Sequence, residues 1–135
     1  MTLQQGFWDT SAVVPLIFRE IHTPRAQATY DQAESFFAWD WLQVEVEAAL
    51  ARRQAQAKNW QAWEQIRPLF QWIHIPSPEW AEIRKQNRSW HLRAADAAHL
   101  YAFTRLASIH PSLQLVTFDQ EQLALARRKH WTLAS

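Results

Sequence analysis

The 135-residue sequence has no cysteine, and Gly6 and Met1 are its only glycine and methionine. Without thiols there can be neither disulfides nor thiolate metal sites, a composition that suits a reducing cytoplasm. No apolar run approaches the roughly 18 residues of a membrane span. Met1 to Gln5 carry no basic cluster, and the apolar patch Ala12 to Phe18 is interrupted by Pro15, which argues against a secretory signal. A net charge of +1 excludes a broad basic coat, so any polyanion would be held by local Arg/Lys clusters. Repeats, linkers and low-complexity tracts are also absent. With 48% hydrophobic residues, one domain spanning 1–135 is expected.

What is present centres on Leu92-Arg93-Ala94-Ala95-Asp96-Ala97-Ala98-His99-Leu100, an Ala-rich, helix-prone stretch with an acid on its apolar face. At about 100° per residue, Asp96, Leu100, Phe103 and Ala107 share one stripe, while Ala94, Ala98, Tyr101 and Arg105 lie opposite. An inward carboxylate must be protonated, paired with a base or bound to a cation. An Arg or His99, one turn on, would serve as the base.

Phe7-Trp8 reads as a strand ending at Asp9, with Thr10 or Ser11 capping a helix over Ala12 to Glu20 and Pro15 in its first turn. Pro24 to Ser35 reads as a second helix started by Thr23, and Phe36 to Asp40 as a second strand. Leu42 to Lys58 is the clearest helix, and its wheel separates two acids. Glu45 shares a face with Leu42, Val46, Ala49 and Leu50, whereas Glu47 points to water. Asn59 to Trp72 is helical with Pro68 as kink or stop, and Ile73 to Ile75 is a short third strand. A helix from Pro78 turns Trp80 and Ile83 inward. Leu113 to Phe118 is the best strand, running through Asp119 into a helix Gln120 to Lys129, and Trp131 to Leu133 could add an edge strand.

Strands alternating with helices imply an α/β fold with a mainly parallel sheet of four to five strands. Ligands of such sheets bind beyond the carboxyl ends of the strands, where Asp9 and Asp119 sit. Each acid alone has a structural role open to it: Asp9 and Asp119 as helix caps, Glu45 paired with Arg52 or Arg53. Together, two acids at strand ends and two on inward helix faces form a cluster that repels itself unless a cation is present. All-oxygen ligation selects a hard ion such as Mg²⁺ or Mn²⁺, and such an ion suits phosphodiester hydrolysis.

The order Phe7-Trp8-Asp9-Thr10-Ser11 with Glu20, Glu45-Val46-Glu47-Ala48-Ala49-Leu50-Ala51-Arg52-Arg53, Leu92 to Leu100 around Asp96, and Leu115-Val116-Thr117-Phe118-Asp119 resembles the PIN-domain ribonucleases, and among them the VapC-type toxins of bacterial toxin–antitoxin pairs. The resemblance covers nearly the whole chain. It implies a three-layer α/β/α sandwich, a Mg²⁺- or Mn²⁺-dependent endoribonuclease acting on RNA, inhibition by a cognate antitoxin and a homodimer, while the lack of a long apolar run separately predicts no membrane association. It also implies that Asp9, Glu45, Asp96 and Asp119 form the catalytic and metal-binding quartet, with Asp9 and Asp96 the leading ligands, and that Thr10, Ser11 and Thr117 line the site. Two departures stand out: Asp40-Trp41 occupies the place of a small hydroxyl residue, and Lys129-His130-Trp131 fills a junction where a glycine is expected.

A catalytically silent PIN-like module binding RNA or protein is the different-class alternative, and a phosphoacceptor receiver domain lacks the paired acids it would need. Trp60, Trp63, Trp80 and Trp90 read as core or dimer-interface residues, with stacking on RNA bases second. Arg84, Lys85 and Arg88, and Arg127, Arg128 and Lys129, read as solvated basic faces.

Overall fold

A computed structural model of the chain describes residues 4–134, leaving outside it most of the leading Met1 to Gln5 segment. Four strands, β1 (Gln4–Trp8), β2 (Ala33–Trp39), β3 (Phe70–Ile73) and β4 (Gln114–Val116), form one all-parallel sheet in the order β3-β2-β1-β4. Seven α-helices pack around it among the described residues: α1 (Thr10–Ile17), α2 (Thr23–Gln32), α3 (Leu42–Arg52), α4 (Ala57–Ile66), α5 (Trp80–Trp90), α6 (Ala94–Ala107) and α7 (Gln120–Lys129).

The period-2 alternation of strand side chains divides the core in two. Phe7, Phe37 and Leu115 enter one apolar layer with Leu100, Phe103 and Leu125 of α6 and α7. Trp8, Phe36 and Val116 enter the other with Val13, Leu42, Val46, Leu50 and Trp63 of α1, α3 and α4. The result is a three-layer α/β/α fold. Each of these large side chains contributes on the order of 1.5–3 kcal/mol through burial. Gly6 is needed where it stands. A Cβ there would meet Trp8 Nε1 at 2.8 Å and Val116 Cγ2 at 3.0 Å, so a side chain would push the indole off the sheet.

Several boundaries differ from the sequence expectation, each for a local reason. Asp9 itself caps α1, through Ser11 N, so the helix begins at Thr10 and Pro15 falls in its second turn. The helix also stops at Ile17, short of Glu20. There the Thr23 hydroxyl lies 2.8 Å from the Pro15 carbonyl and accepts from Glu20 N at 2.8 Å, tying off the turn. Pairing of Phe36 and Phe37 with β1 draws Ala33 and Ser35 into β2, so α2 ends early at Gln32. The long helix Leu42 to Lys58 is two helices, because Gln54 adopts the left-handed conformation (φ 51°) and Gln56 and Asn59 form a capping box that starts α4.

Asn59 to Trp72 is not helical throughout. After a 3₁₀ turn at Pro68, Phe70–Ile73 pairs with Phe36 to Trp39, so the third strand lies earlier than Ile73 to Ile75. Trp80 is 58% exposed rather than inward, and Tyr101, opposite Asp96 on α6, is buried. β4 is only three residues long, and Leu133 adds a single bridge to Leu115 rather than a fifth strand. His130 takes the left-handed position (φ 58°) at the junction where a glycine was expected. No helix among the described residues is long and apolar enough to cross a membrane.

Candidate active site

The chain lays β1, β2 and β3 in one direction and then returns β4 to the other side of β1, which opens a crevice at the carboxyl ends of β1 and β4. Asp9 leaves β1 into this crevice, while Thr117 and Asp119 follow β4. Asp9 Oδ2 accepts from Ser11 N and from Thr117 Oγ1, both at 3.2 Å. Thr117 Oγ1 in turn accepts from Asp119 N at 3.1 Å, and Ser11 Oγ accepts from Phe118 N at 2.9 Å. Asp119 Oδ1 caps α7 by accepting from Gln122 N at 2.9 Å. The helix-cap role open to Asp9 and Asp119 is therefore filled, and it aims both acids at one place.

The two helix-borne acids arrive from α3 and α6. Glu45 Oε1 accepts from Thr10 Oγ1 at 3.0 Å, and Asp96 Oδ1 accepts from Gln122 Nε2 at 3.1 Å. Glu45 is half-buried beside Leu42, Val46 and Leu50, and does not pair with Arg53, which bridges Glu20 at 3.2 Å instead. Glu47 is exposed and accepts from Trp63 Nε1 at 3.1 Å, away from the crevice. Asp96, Asp119, Thr10 and Ser11 line a cleft of about 580 Å³, rimmed by Arg53 and Arg93. His22 and Phe118, stacked at 4.4 Å with their rings nearly parallel, also line this cleft.

The electrostatics separate the acids. Burial disfavours charge on Asp9, but the attraction of His99 when that ring is protonated and donation from Ser11 outweigh it and hold the carboxyl below its usual range. Asp96 is pushed up, first by desolvation and then by the charges of Asp9 and Asp119. Glu45 is also pushed up, by desolvation against the opposing Thr10 hydrogen bond, with Asp9 and Asp96 adding to the rise. His99 is fully buried, and desolvation drives its pKa down against the pull of Asp9 and Asp119, leaving a neutral ring at neutral pH. Its Nε2 stands 3.9 Å from Asp9 Oδ1 with no hydrogen-bond partner among the described residues, and the buried Gln122 Oε1 also has none there.

Of the residues expected from the sequence, Asp96, Asp119, Thr10 and Ser11 thus line the cleft, whereas Asp9 and Thr117 are buried behind it and Glu45 is joined to it through Thr10. Each carboxylate is held by a donor of the chain itself, and no three His, Asp or Glu side chains among the described residues are grouped to hold one ion. A divalent ion such as Mg²⁺ is usually held by one or two carboxylates, with waters and substrate phosphate completing the shell. The Asp9–Asp96 pair fits that requirement in kind, and the two buried, unpartnered polar atoms beside it mark a place prepared for something more polar than the core. Gln122, His22 and Arg93 were not foreseen as site residues. Gln122 stands three residues after the cap Asp119, which signals a capping box but not a side chain turned elsewhere.

Next to this crevice, at the ends of β2 and β3, Trp39, Trp41, Trp80, Ile83 and Arg84 line a second cleft of about 710 Å³, with Asp40 Oδ2 3.1 Å from His74 Nδ1 on its edge. Trp63 and Trp90 are core residues, whereas Trp41 and Trp80 are 49% and 58% exposed. No protein-family model matches the chain, and no curated protein matches it significantly.

Proposed function

We propose that the protein is a Mg²⁺- or Mn²⁺-dependent endoribonuclease of the PIN type, acting as the toxin of a toxin–antitoxin pair, with a cognate antitoxin as partner and a homodimer as its assembly. The observation that carries this reading is the approach of four carboxylates from separate elements near the β1/β4 crevice, where burial and then the charges of Asp9 and Asp119 oppose ionisation of Asp96, and burial and then the charges of Asp9 and Asp96 oppose that of Glu45. When bound there, a divalent ion would supply charge neutralisation, polarise the phosphodiester and lower the pKa of an attacking water.

The chain does the rest. Asp9, kept ionised, and Asp96 would hold the ion. Arg93 at the rim meets phosphate charge. Glu45, with a raised pKa and the Thr10 hydroxyl fixing one of its oxygens, is placed to take a proton from water. Unpaired bases on one side of the cleaved bond would stack on Trp41 and Trp80, which line the neighbouring cleft. Trp80→Ala is expected to weaken binding of a short single-stranded RNA about tenfold in fluorescence anisotropy, the scale of losing one base stack. An unchanged affinity would remove the second cleft from the RNA path.

Incubation of the wild-type protein with single-stranded or looped RNA tests the whole reading. Cleavage is expected with Mg²⁺ or Mn²⁺ and none with chelator, and the ion should raise the melting temperature with occupancy. Chelator-resistant cleavage would refute the mechanism. The alternative, a catalytically silent PIN-like module, is favoured by one specific observation: every carboxylate already has a donor in the chain. RNA binding with no cleavage at any metal concentration would select it.

A further inference from the structure

Gln122 is the third residue of α7, the position from which a glutamine ordinarily closes a capping box by accepting from the backbone N–H of the cap residue. Only half the box is present. Gln122 N donates to Asp119 Oδ1, but the N–H of Asp119 is taken by Thr117 Oγ1, which frees the Gln122 side chain. That side chain is fully buried, and its Nε2 donates to Asp96 Oδ1 at 3.1 Å. Its Oε1 is left buried with no partner among the described residues. A residue kept only to fill the core would not carry an unsatisfied carbonyl, since an apolar side chain of the same volume avoids that cost.

We infer that Gln122 is a positioning residue whose buried amide bridges α7 to the Asp96 carboxylate of α6 and fixes the orientation of that carboxylate. Donation to Oδ1 of Asp96 leaves Oδ2 free. This inference rests on the metal-site reading above only for its second arm.

The variant Gln122→Met keeps the side-chain volume and removes both donors. In chelator, its melting temperature is expected to fall by about 3–6 °C, a shift natural for one buried polar bridge in a chain of this size. In an Asp96→Ala background the same substitution is expected to cost less than about 1 °C, because the carboxylate it served is gone. Equal losses in the two backgrounds would make Gln122 a packing residue and overturn the inference. In calorimetry with Mn²⁺ alone, Gln122→Met is expected to bind about 10- to 100-fold more weakly than the wild type, the effect of removing a partner that orients a ligand. Unchanged Mn²⁺ affinity would overturn the positioning role. A wild type that binds no Mn²⁺ would instead overturn the metal reading, and the melting cycle would decide the bridge by itself.

Discussion

Asp96→Asn is expected to reduce RNA cleavage by at least roughly a thousandfold, since an ion loses one of its two anionic holders and several kcal/mol of charge stabilisation with it. The same substitution should leave the chain without added ion as stable as the wild type or more so. Two physical effects point the same way. The charges of Asp9 and Asp119 oppose ionisation of Asp96, and an asparagine removes that repulsion. The asparagine Oδ1 can still accept from Gln122 Nε2, so the hydrogen bond that holds the side chain is kept. A melting-temperature gain of about 2–5 °C in chelator is the expected size.

The pH dependence of that gain has a definite sign. The folded-state pKa of Asp96 is raised, so the folded chain holds a proton that the unfolded chain has released, and wild-type stability falls as pH rises through this interval. The difference between Asp96→Asn and wild type should therefore be small in acid, grow as pH passes through the raised carboxyl pKa, and level off above it. Thermal melts of both proteins in chelator across this range measure it. A difference that shrinks with rising pH would show that Asp96 is stabilised as an anion by its surroundings. Full retention of cleavage by the variant would remove Asp96 from the chemistry.

The parts of the site that could be read from the sequence are those fixed by neighbours in the chain. A short apolar strand, an acid able to cap, and a helix after it recur at Asp9 and Asp119, and local hydrogen bonding places both. The helix Gln120 to Lys129 falls where its cap and basic end put it, because both of its signals are local. The parts that could not be read depend on partners far along the chain. Phe70 to Trp72 follow a helical stretch and carry aromatic residues compatible with either period. They become a strand because Phe36 to Trp39 offer an open edge. Gln54 gives no sequence sign of the left-handed turn that divides the long helix. Gln122 is the clearest case. Its position within α7 is local information, but the acceptor its side chain finds lies 26 residues earlier, on α6.

Glu45→Gln is expected to lower turnover by at least roughly a hundredfold, the scale of losing a positioned proton-transfer group, while Glu47→Gln should behave nearly as wild type. The two residues are neighbours in sequence and belong to one helix, so composition and local charge cannot tell them apart. Their surroundings do. Glu45 lies on the face of α3 that carries Leu42, Val46 and Leu50 into the core, and its carboxylate ends on Thr10, the first residue after Asp9. Desolvation, with the Asp9 and Asp96 charges adding to it, holds its pKa above the ordinary value, the direction that makes it a better proton acceptor. Glu47 faces away, accepting from the indole of the fully buried Trp63, and a glutamine there keeps an oxygen for that bond. Loss at Glu47 would thus be a modest loss of stability, and loss at Glu45 a loss of rate with the fold intact. Because the raised pKa of Glu45 keeps it protonated to a higher pH than an ordinary carboxyl, the acidic limb of the kcat/KM profile should lie above the usual carboxylate range in the wild type and shift in Glu45→Gln alone. Steady-state cleavage of one fluorogenic RNA by the wild type and both variants, from acid to neutral pH, measures all of this. Equal losses at the two positions, or a larger loss at Glu47, would mean that the proton passes through neither the crevice face of α3 nor Glu45.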